Sequence, residues 1–273
     1  MSDYRLENNE FIIENYDSKA PFTSFLPGLT GKDGIPLWSF YVNRGQCLTS
    51  FGIEKKENPI MEFQPAVIAY ENTSLKGFRT FIRKNDEYFE PFSVNYDAKV
   101  KRTMRIKANS FRIIETDYTH NFKTEITYFI LPHEPFGALV RNVTFTNLGE
   151  EADFEILDGM SRIIPYGIPG TKFTTMANLM RSYNTVSNLK NDVPLFFSRI
   201  ESDDAAEMKE NVGGYYYMCF DNNGTICPIY DPCALFENET SLQFPINFIM
   251  HGLKFVAGYS QHFTNKISCA FAP

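Results

Sequence analysis

Alternation of apolar and polar residues is the feature that most constrains this chain. In the runs 103–116 and 122–131 the two classes alternate over much of the length. A period of two residues is typical of a β-strand with one face in the core and the other in water. The chain also has 26 Phe and 15 Tyr, and flat side chains pack well on a pleated surface. The sequence therefore predicts a fold built mainly of strands.

Turn residues predict where further strands pair. Asn147 and Gly149 indicate one hairpin turn, and the Asn223–Gly224 pair suits a second turn of type I′. The strands predicted on these grounds are 138–146 with 153–157, 214–220 with 225–230, and a last strand near 266–271.

One segment shows helical periodicity. Between Phe173 and Leu189, apolar residues recur at intervals of three or four, which makes a single apolar stripe. The stripe consists of Phe173, Met176, Leu179, Met180, Tyr183, Val186 and Leu189. We expect this helix to lie against a sheet face.

The organisation predicted is one β domain over residues 1–273. No internal repeat, low-complexity tract or Pro/Ser-rich linker interrupts the sequence. The last residues, Ile267 to Pro273, resemble the middle of a β domain more than a polar tail. We therefore expect the chain to be a part of a longer protein.

Charge and hydropathy exclude several kinds of partner. The net charge is −7, so the chain has no basic field for a nucleic-acid backbone. No apolar stretch approaches the roughly 20 residues of a membrane helix. The segment Met1 to Glu10 is polar and acidic, unlike a signal peptide. A cytoplasmic protein without membrane or nucleic-acid partners is expected.

Cysteine and histidine spacing predicts no metal site and no cofactor. The five cysteines, an odd number without a Cys-x-x-Cys pair, indicate packed thiols and neither a zinc knuckle nor a complete set of disulfides. The four histidines have no ligand spacing and no evident nucleophile partner. These residues are Cys47, Cys219, Cys227, Cys233 and Cys269, and His120, His133, His251 and His262.

A loop rich in glycine and aromatic residues is the main candidate for binding. Gly31–Lys32 lacks the Ser or Thr of a phosphate loop, because Asp33 follows the lysine. A sugar-facing loop would use Trp38 to stack on a pyranose, with hydroxyl-binding groups after it. Those groups are Asn43, Arg44 and Gln46. The same segment also suits an ordinary structural turn.

Charged residues elsewhere have two interpretations each. Arg79 can pair with Glu90 or reach a ligand oxygen with its guanidinium fork. Glu155 and Asp158 are candidates for the facing carboxylates of a glycosidase, or strand-end acids bonded to the backbone. The acidic group Glu201, Asp203, Asp204 and Glu207 is most simply a solvated loop.

Several strings, taken in chain order, resemble the amino-terminal part of glycoside hydrolase family 94, the cellobiose phosphorylase type. The likeness covers most of the chain, and it is greatest to the branch with 1,2-β-oligoglucan phosphorylase and the phosphorylase-like region of cyclic β-1,2-glucan synthases. Its most specific strings are Asn43-Arg44-Gly45-Gln46 and Gly77-Phe78-Arg79-Thr80-Phe81. The others are residues 21–28, 34–38, 50–52, 61–66, 88–92 and 155–159.

This resemblance implies a large antiparallel β-sandwich of the galactose-mutarotase-like type, with one or two short helices. It implies an (α/α)6 barrel elsewhere in the full-length chain, which holds the catalytic Asp, so no catalytic residue is expected here. In the family that Asp protonates the glycosidic oxygen while inorganic phosphate, the co-substrate, attacks the anomeric carbon. A sugar 1-phosphate of inverted configuration leaves.

The function that the resemblance implies is that of a non-catalytic domain. The full-length enzyme would phosphorolyse β-1,2-glucooligosaccharides, with the barrel as the domain's partner and a homodimer as one arrangement. The resemblance makes the loop from Trp38 to Gln46 the candidate for the substrate side, with support of the site's shape as the alternative role. With Arg79 added from its own chemistry, the candidate substrate-binding residues are Trp38, Asn43, Arg44, Gln46 and Arg79. Two alternatives stay open: a free-standing carbohydrate-binding module and a mutarotase-like enzyme that acts on sugars.

Overall fold

Antiparallel strands are the predominant regular structure of this computed structural model, which confirms the mainly β prediction. It describes residues 3–94, 99–169, 172, 175–200, 206–207 and 209–273. The strands are β1 (Tyr4–Glu7), β2 (Glu10–Glu14), β3 (Thr23–Phe25), β4 (Leu37–Val42), β5 (Leu48–Ile53), β6 (Pro59–Met61), β7 (Phe78–Lys84), β8 (Glu87–Phe89), β9 (Val100–Ile106), β10 (Ser110–Asp117), β11 (Phe122–Ile130), β12 (Leu139–Asn147), β13 (Phe154–Ile163), β14 (Asn184–Ser187), β15 (Leu195–Ser198), β16 (Tyr215–Tyr216), β17 (Cys219–Asp221), β18 (Gly224–Ile226) and β19 (Ser268–Ala272).

Helices are short and more numerous than expected. Four α-helices lie within the described residues, where one or two were predicted. They are α1 (Ala66–Lys76), α2 (Ala177–Arg181), α3 (Cys233–Phe236) and α4 (Ile246–Ala257), with 3-10 turns at Tyr16–Ser18 and Leu189–Asn191.

The chain divides into two compact units. The first comprises residues 1–54, 64–74 and 91–152, and the second comprises 55–63, 75–90 and 153–273. The interpretation of residues 1–273 as a single sandwich domain stays a prediction.

The first unit is built on a sheet of six strands in the order β1-β2-β9-β10-β11-β12. Buried and half-buried residues alternate strictly along β10 and β11, as the period of two predicted. The run 103–116 is not a single strand, because the chain turns at 107–109 and β9 then pairs with β10. Within the core, the ring of Phe111 stacks on Tyr41 at 4.4 Å and on Tyr128 at 4.9 Å.

The second unit is built on the sheet β19-β13-β7-β8. Its core combines strand residues such as Phe81 and Phe271 with Phe236 of α3 and Phe248 of α4, all fully buried. The rings of Phe81 and Phe271 stack at 5.2 Å, so α3 and α4 cover an aromatic layer of the sheet.

Two hairpin predictions have different outcomes. β17 and β18 form the expected antiparallel pair, with Asp221 opposite Gly224. The turn residues are therefore Asn222 and Asn223, and the strands are shorter than predicted. The hairpin around Asn147 is wrong: β12 pairs with β11, whereas β13 pairs with β7 and β19.

The helix predicted over 173–189 is mostly wrong. Among the described residues from 175 to 189, α-helix is confined to Thr175 and α2 (Ala177–Arg181), and β14 begins at Asn184. Phe173 lies outside the described residues. Val186 is buried inside a strand, where it follows Thr185. Two adjacent β-branched residues favour a strand, and this preference prevails over the three-residue spacing.

Glu10 supports the first sheet through charge and is expected to make its stability depend on pH. Its carboxylate accepts bonds from Arg105 (3.1 Å), Lys107 (3.1 Å) and Arg112 (3.3 Å). The bond from Lys107 is the main cause that lowers the pKa of Glu10, against the opposing effect of burial. The lowered pKa of Glu10 stabilises the folded state at pH values above 4.5, the ordinary pKa of the group. This contribution is lost as the pH falls below 4.5 and through the lowered pKa of the folded state.

We expect Glu10→Gln to lower the melting temperature at pH 7 by about 2–4 °C, because the partners are about half exposed and the loss is about 1 kcal/mol. The difference from the wild type should shrink as the pH falls below 4.5, as measured by thermal melts from pH 7 to pH 3. Glu7→Gln is the control, since Glu7 is half exposed and pairs with Arg5 alone. An unchanged difference at low pH would contradict the assignment.

Candidate functional site

The predicted binding loop is the tight turn between β4 and β5 in the first unit. The amide of Val42 donates to the carbonyl of Cys47, and the amide of Cys47 donates to that of Arg44, both at 2.9 Å. Gly45 has φ +53°, and the backbone of Ser74 lies where a side chain at this position would point. Glycine is therefore required here by both conformation and space.

Asn43 uses its side chain to organise the segment before β3. Its Oδ1 accepts the amide of Phe22 at 3.0 Å, and its Nδ2 donates to the carbonyls of Tyr16 (2.9 Å), Ala20 (3.2 Å) and Lys19 (3.3 Å). Asn43 is completely buried. The side chain is thus occupied by backbone groups of its own unit, and it is not presented to a ligand.

Gln46 is also used internally. Its Oε1 accepts a bond of 2.6 Å from the guanidinium of Arg141, and its carbonyl accepts the hydroxyl of Tyr128 at 3.1 Å. Only 3% of Gln46 is exposed. These contacts join the β4–β5 turn to β11 and β12, which gives Gln46 a structural role.

Arg44 is the one polar residue of this turn that remains partly exposed. Its Nη1 donates to the carbonyl of Asn43 at 2.7 Å, and its guanidinium lies 4.7 Å from the ring centre of Tyr70. The hydroxyl of Tyr70 is buried and has no hydrogen-bond partner among the residues that the structure describes. Arg44 is therefore the polar residue of the turn whose remaining N–H groups can still reach a ligand.

Trp38 belongs to an aromatic face that the sequence analysis did not recognise. Trp38 and Phe40 alternate with buried residues along β4, and their rings lie 6.0 Å apart. Phe25 of β3 is directly opposite Phe40 and is 61% exposed. Phe25, Trp38 and Phe40 thus share one face of the β3-β4-β5 sheet. We call this set the aromatic face; aromatic rings of this kind can stack on a pyranose.

Arg79 is in the second unit and forms the ion pair that was one of its two interpretations. Its guanidinium donates to both oxygens of Glu90 at 2.7 Å. It also donates to the carbonyl of Gln243 at 2.9 Å and to that of Leu242. Only 2% of the side chain is exposed. Arg79 therefore fixes the 242–243 segment to β7.

The two candidate glycosidase acids do not face each other. Glu155 and Asp158 are three residues apart on the regular part of β13, so their side chains point to opposite faces. Glu155 pairs with Arg83 at 2.5 Å and accepts the amide of Leu253 at 3.1 Å. Asp158 accepts the hydroxyl of Thr80 at 2.6 Å. Both acids serve the structure of the second unit.

Two of the histidines contact residues three or four positions away along the chain. His120 contacts Asp117 at 2.5 Å within the β10–β11 turn, where the same carboxylate accepts the amides of Thr119 and His120. His251 packs on Phe255 along α4. Within the described residues, no three His, Cys, Asp or Glu side chains are grouped so as to hold a metal ion.

All five cysteines lie in the described part of the chain, and none forms a disulfide. Cys47 and Cys269 are buried, which raises the pKa of Cys47 to about 12. Cys227 is exposed, and Cys219 and Cys233 are half-buried. This agrees with the prediction of packed thiols, except that Cys227 is more open than predicted.

Two further predictions concern the acidic group within residues 201–207 and membrane-spanning helices. Glu207 is exposed, while Glu201, Asp203 and Asp204 lie outside the described residues. Among the helices that the structure describes, none is both long enough and apolar enough to span a bilayer.

Comparison with known proteins identifies no family. No protein-family model matches the sequence, and a search of curated proteins gave no significant match. The resemblance to the phosphorylases therefore rests on the strings quoted above.

Proposed function

We propose that this chain is the non-catalytic β-sandwich domain of an inverting β-glucan phosphorylase, with the galactose-mutarotase-like architecture that the resemblance implies. The observation that carries the proposal is the burial of the polar residues in the two most specific strings. Asn43 and Gln46 in the first string, and Arg79 in the second, are at most 3% exposed and bonded to their own unit. Residues used in this way support a scaffold and do not perform chemistry.

The separation of Glu155 from Asp158 supports the same conclusion. Hydrolysis or phosphorolysis needs an acid aimed at the glycosidic oxygen, and these two side chains leave β13 in opposite directions. We place the catalytic Asp in the (α/α)6 barrel of the full-length enzyme, with inorganic phosphate as its co-substrate.

The test is a phosphorolysis assay on this chain with β-1,2-glucooligosaccharides and inorganic phosphate. We expect no glucose 1-phosphate, while a complete family 94 phosphorylase serves as the positive control. The gene downstream of codon 273 should encode a helical barrel. Turnover by the chain alone would contradict the proposal, and so would a stop codon directly after Pro273.

A second candidate, a carbohydrate-binding module, is favoured by the aromatic face alone. Phe25 is 61% exposed beside two further rings, and β-1,2-linked glucose units present apolar faces to such rings.

Calorimetry with β-1,2-glucooligosaccharides tests this second candidate. If the face binds glucan, Phe25→Ala should weaken binding about two- to tenfold, which corresponds to about 0.5–1.5 kcal/mol per aromatic contact. Phe220→Ala is the matched control, because Phe220 is 67% exposed and lies in the second unit. Absence of heat at millimolar sugar would eliminate the module, and an equal effect of the two variants would eliminate this face.

A further inference from the structure

A cysteine, a lysine and an aspartate meet at the start of α3 in the second unit. The ammonium nitrogen of Lys266 lies 3.4 Å from Sγ of Cys233. The same ammonium donates to both oxygens of Asp231, at 2.8 and 2.9 Å. Sequence spacing could not indicate this group, because Lys266 is 33 residues from Cys233 along the chain.

Asp231 holds the lysine in a fixed position. The carboxylate is fully buried, and it also accepts the backbone amides of Cys233 (3.0 Å) and His262 (2.9 Å). Burial is the largest single effect and opposes the charge of Lys266, but the hydrogen bonds that Lys266 donates to Asp231, the negative charge of Asp231 and smaller effects of Cys233 together raise the pKa of Lys266 above its ordinary value. Lys266 is therefore protonated at neutral pH, with one N–H directed at the sulfur.

The residues of this cluster are partly exposed. Cys233 is half-buried, and 28% of the Lys266 side chain is exposed. Cys269, which belongs to the core of this unit, is completely buried. We therefore expect a reagent the size of hydrogen peroxide to reach Cys233 more readily than Cys269.

We propose that Cys233 is a site of oxidation by hydroperoxides, with Lys266 as the proton donor to the departing oxygen. Cys233 reacts as the thiolate, which forms when its thiol releases a proton to solvent. The sulfur attacks one peroxide oxygen, so an S–O bond forms while the O–O bond breaks. Sulfur is oxidised by two electrons, and the peroxide is reduced. Lys266 protonates the departing hydroxide to water and recovers a proton from the sulfenic acid. Thiolate and peroxide thus yield water and a sulfenate beside the ammonium.

Cys227 provides an internal control in the wild-type chain. It is more exposed than Cys233, but its sulfur donates to the carbonyl of Pro228. Burial and the carboxylate of Asp192 raise the pKa of Cys227. If exposure alone governed oxidation, Cys227 would react first; the cluster around Cys233 predicts the opposite order.

The experiment treats the chain with hydrogen peroxide, traps sulfenic acids with dimedone and quantifies each cysteine peptide by mass spectrometry. We expect the sulfenic acid of Cys233 to be trapped about tenfold faster than that of Cys227. This ratio is smaller than the rate acceleration of about a hundredfold or more that a well-placed general acid supplies. An equal or reversed order would overturn the proposal.

The role of Lys266 as the proton donor is tested with the variants Lys266→Arg and Lys266→Met. Arginine keeps the charge opposite Asp231 and so preserves folding, but it does not release its proton. Both variants should slow peroxide oxidation of Cys233 about tenfold. Alkylation by iodoacetamide needs no acid, so it should stay within about twofold of the wild type, whereas a merely structural effect would change both reactions together. Unchanged oxidation in Lys266→Arg would refute the role of Lys266.

Discussion

Replacing Arg79 by Met is expected to lower the free energy of unfolding by about 3–5 kcal/mol. The change leaves the carboxylate of Glu90, which is 14% exposed, without its bidentate partner. It also removes the donor to the carbonyls of Leu242 and Gln243. Urea unfolding of the variant, followed by circular dichroism, measures the loss.

Arg83→Met is the matched control for this prediction. Arg83 lies on the same strand, but its partners Glu155 and Asp86 are 37% and 91% exposed, so the loss should be about 1 kcal/mol or less. If Arg79 served a sugar ligand instead, Arg79→Met would weaken glucan binding and leave stability near that of Arg83→Met. Equal stability of the two variants would thus contradict the scaffold role.

Asn43→Ala is expected to lower the free energy of unfolding by about 2–3 kcal/mol, since a backbone group left without a partner costs about 1–3 kcal/mol. The amide of Phe22 loses its acceptor, and the carbonyl of Tyr16 keeps only the weaker bond from the amide of Lys19 at 3.2 Å. Hydrogen exchange at the Phe22 amide should accelerate along with the loss of global stability.

Asn72→Ala is the control for Asn43→Ala. Asn72 makes one bond, 3.2 Å to Gln64, on the partly exposed helix α1, so its loss should stay below about 1 kcal/mol. If Asn43→Ala is as stable as Asn72→Ala and exchange at the Phe22 amide stays slow, the structural role of Asn43 is contradicted. Asn43 would then again be a candidate for ligand contact.

The sequence predicted strands well where local pattern and local pairing coincide. β10 and β11 have strict alternation and a short turn, and they are neighbours in the sheet. Asn147 and Gly149 gave an equally clear turn signal, but a turn signal does not specify which strands pair across it. β13 takes its partners from β7 and β19, which are distant along the chain.

The sequence did not indicate which of the candidate site residues are buried. Nothing local to Asn43 or Gln46 indicates that their amides are used by Tyr16 or Arg141, because those contacts depend on tertiary structure. Alternation along β4 could have indicated the aromatic face, since Trp38 and Phe40 are two residues apart. Phe25 becomes part of it only through strand pairing.

The occupied amides of Asn43 and Gln46 affect how such strings can be used to classify proteins. A residue that maintains the backbone is selected for folding, whatever the domain beside it does. Proteins with different ligands, or with none, could therefore keep the same residues at these positions. Agreement at Asn43 and Gln46 is informative about the scaffold, and any ligand preference has to be sought in partly exposed side chains such as Arg44 and Trp38.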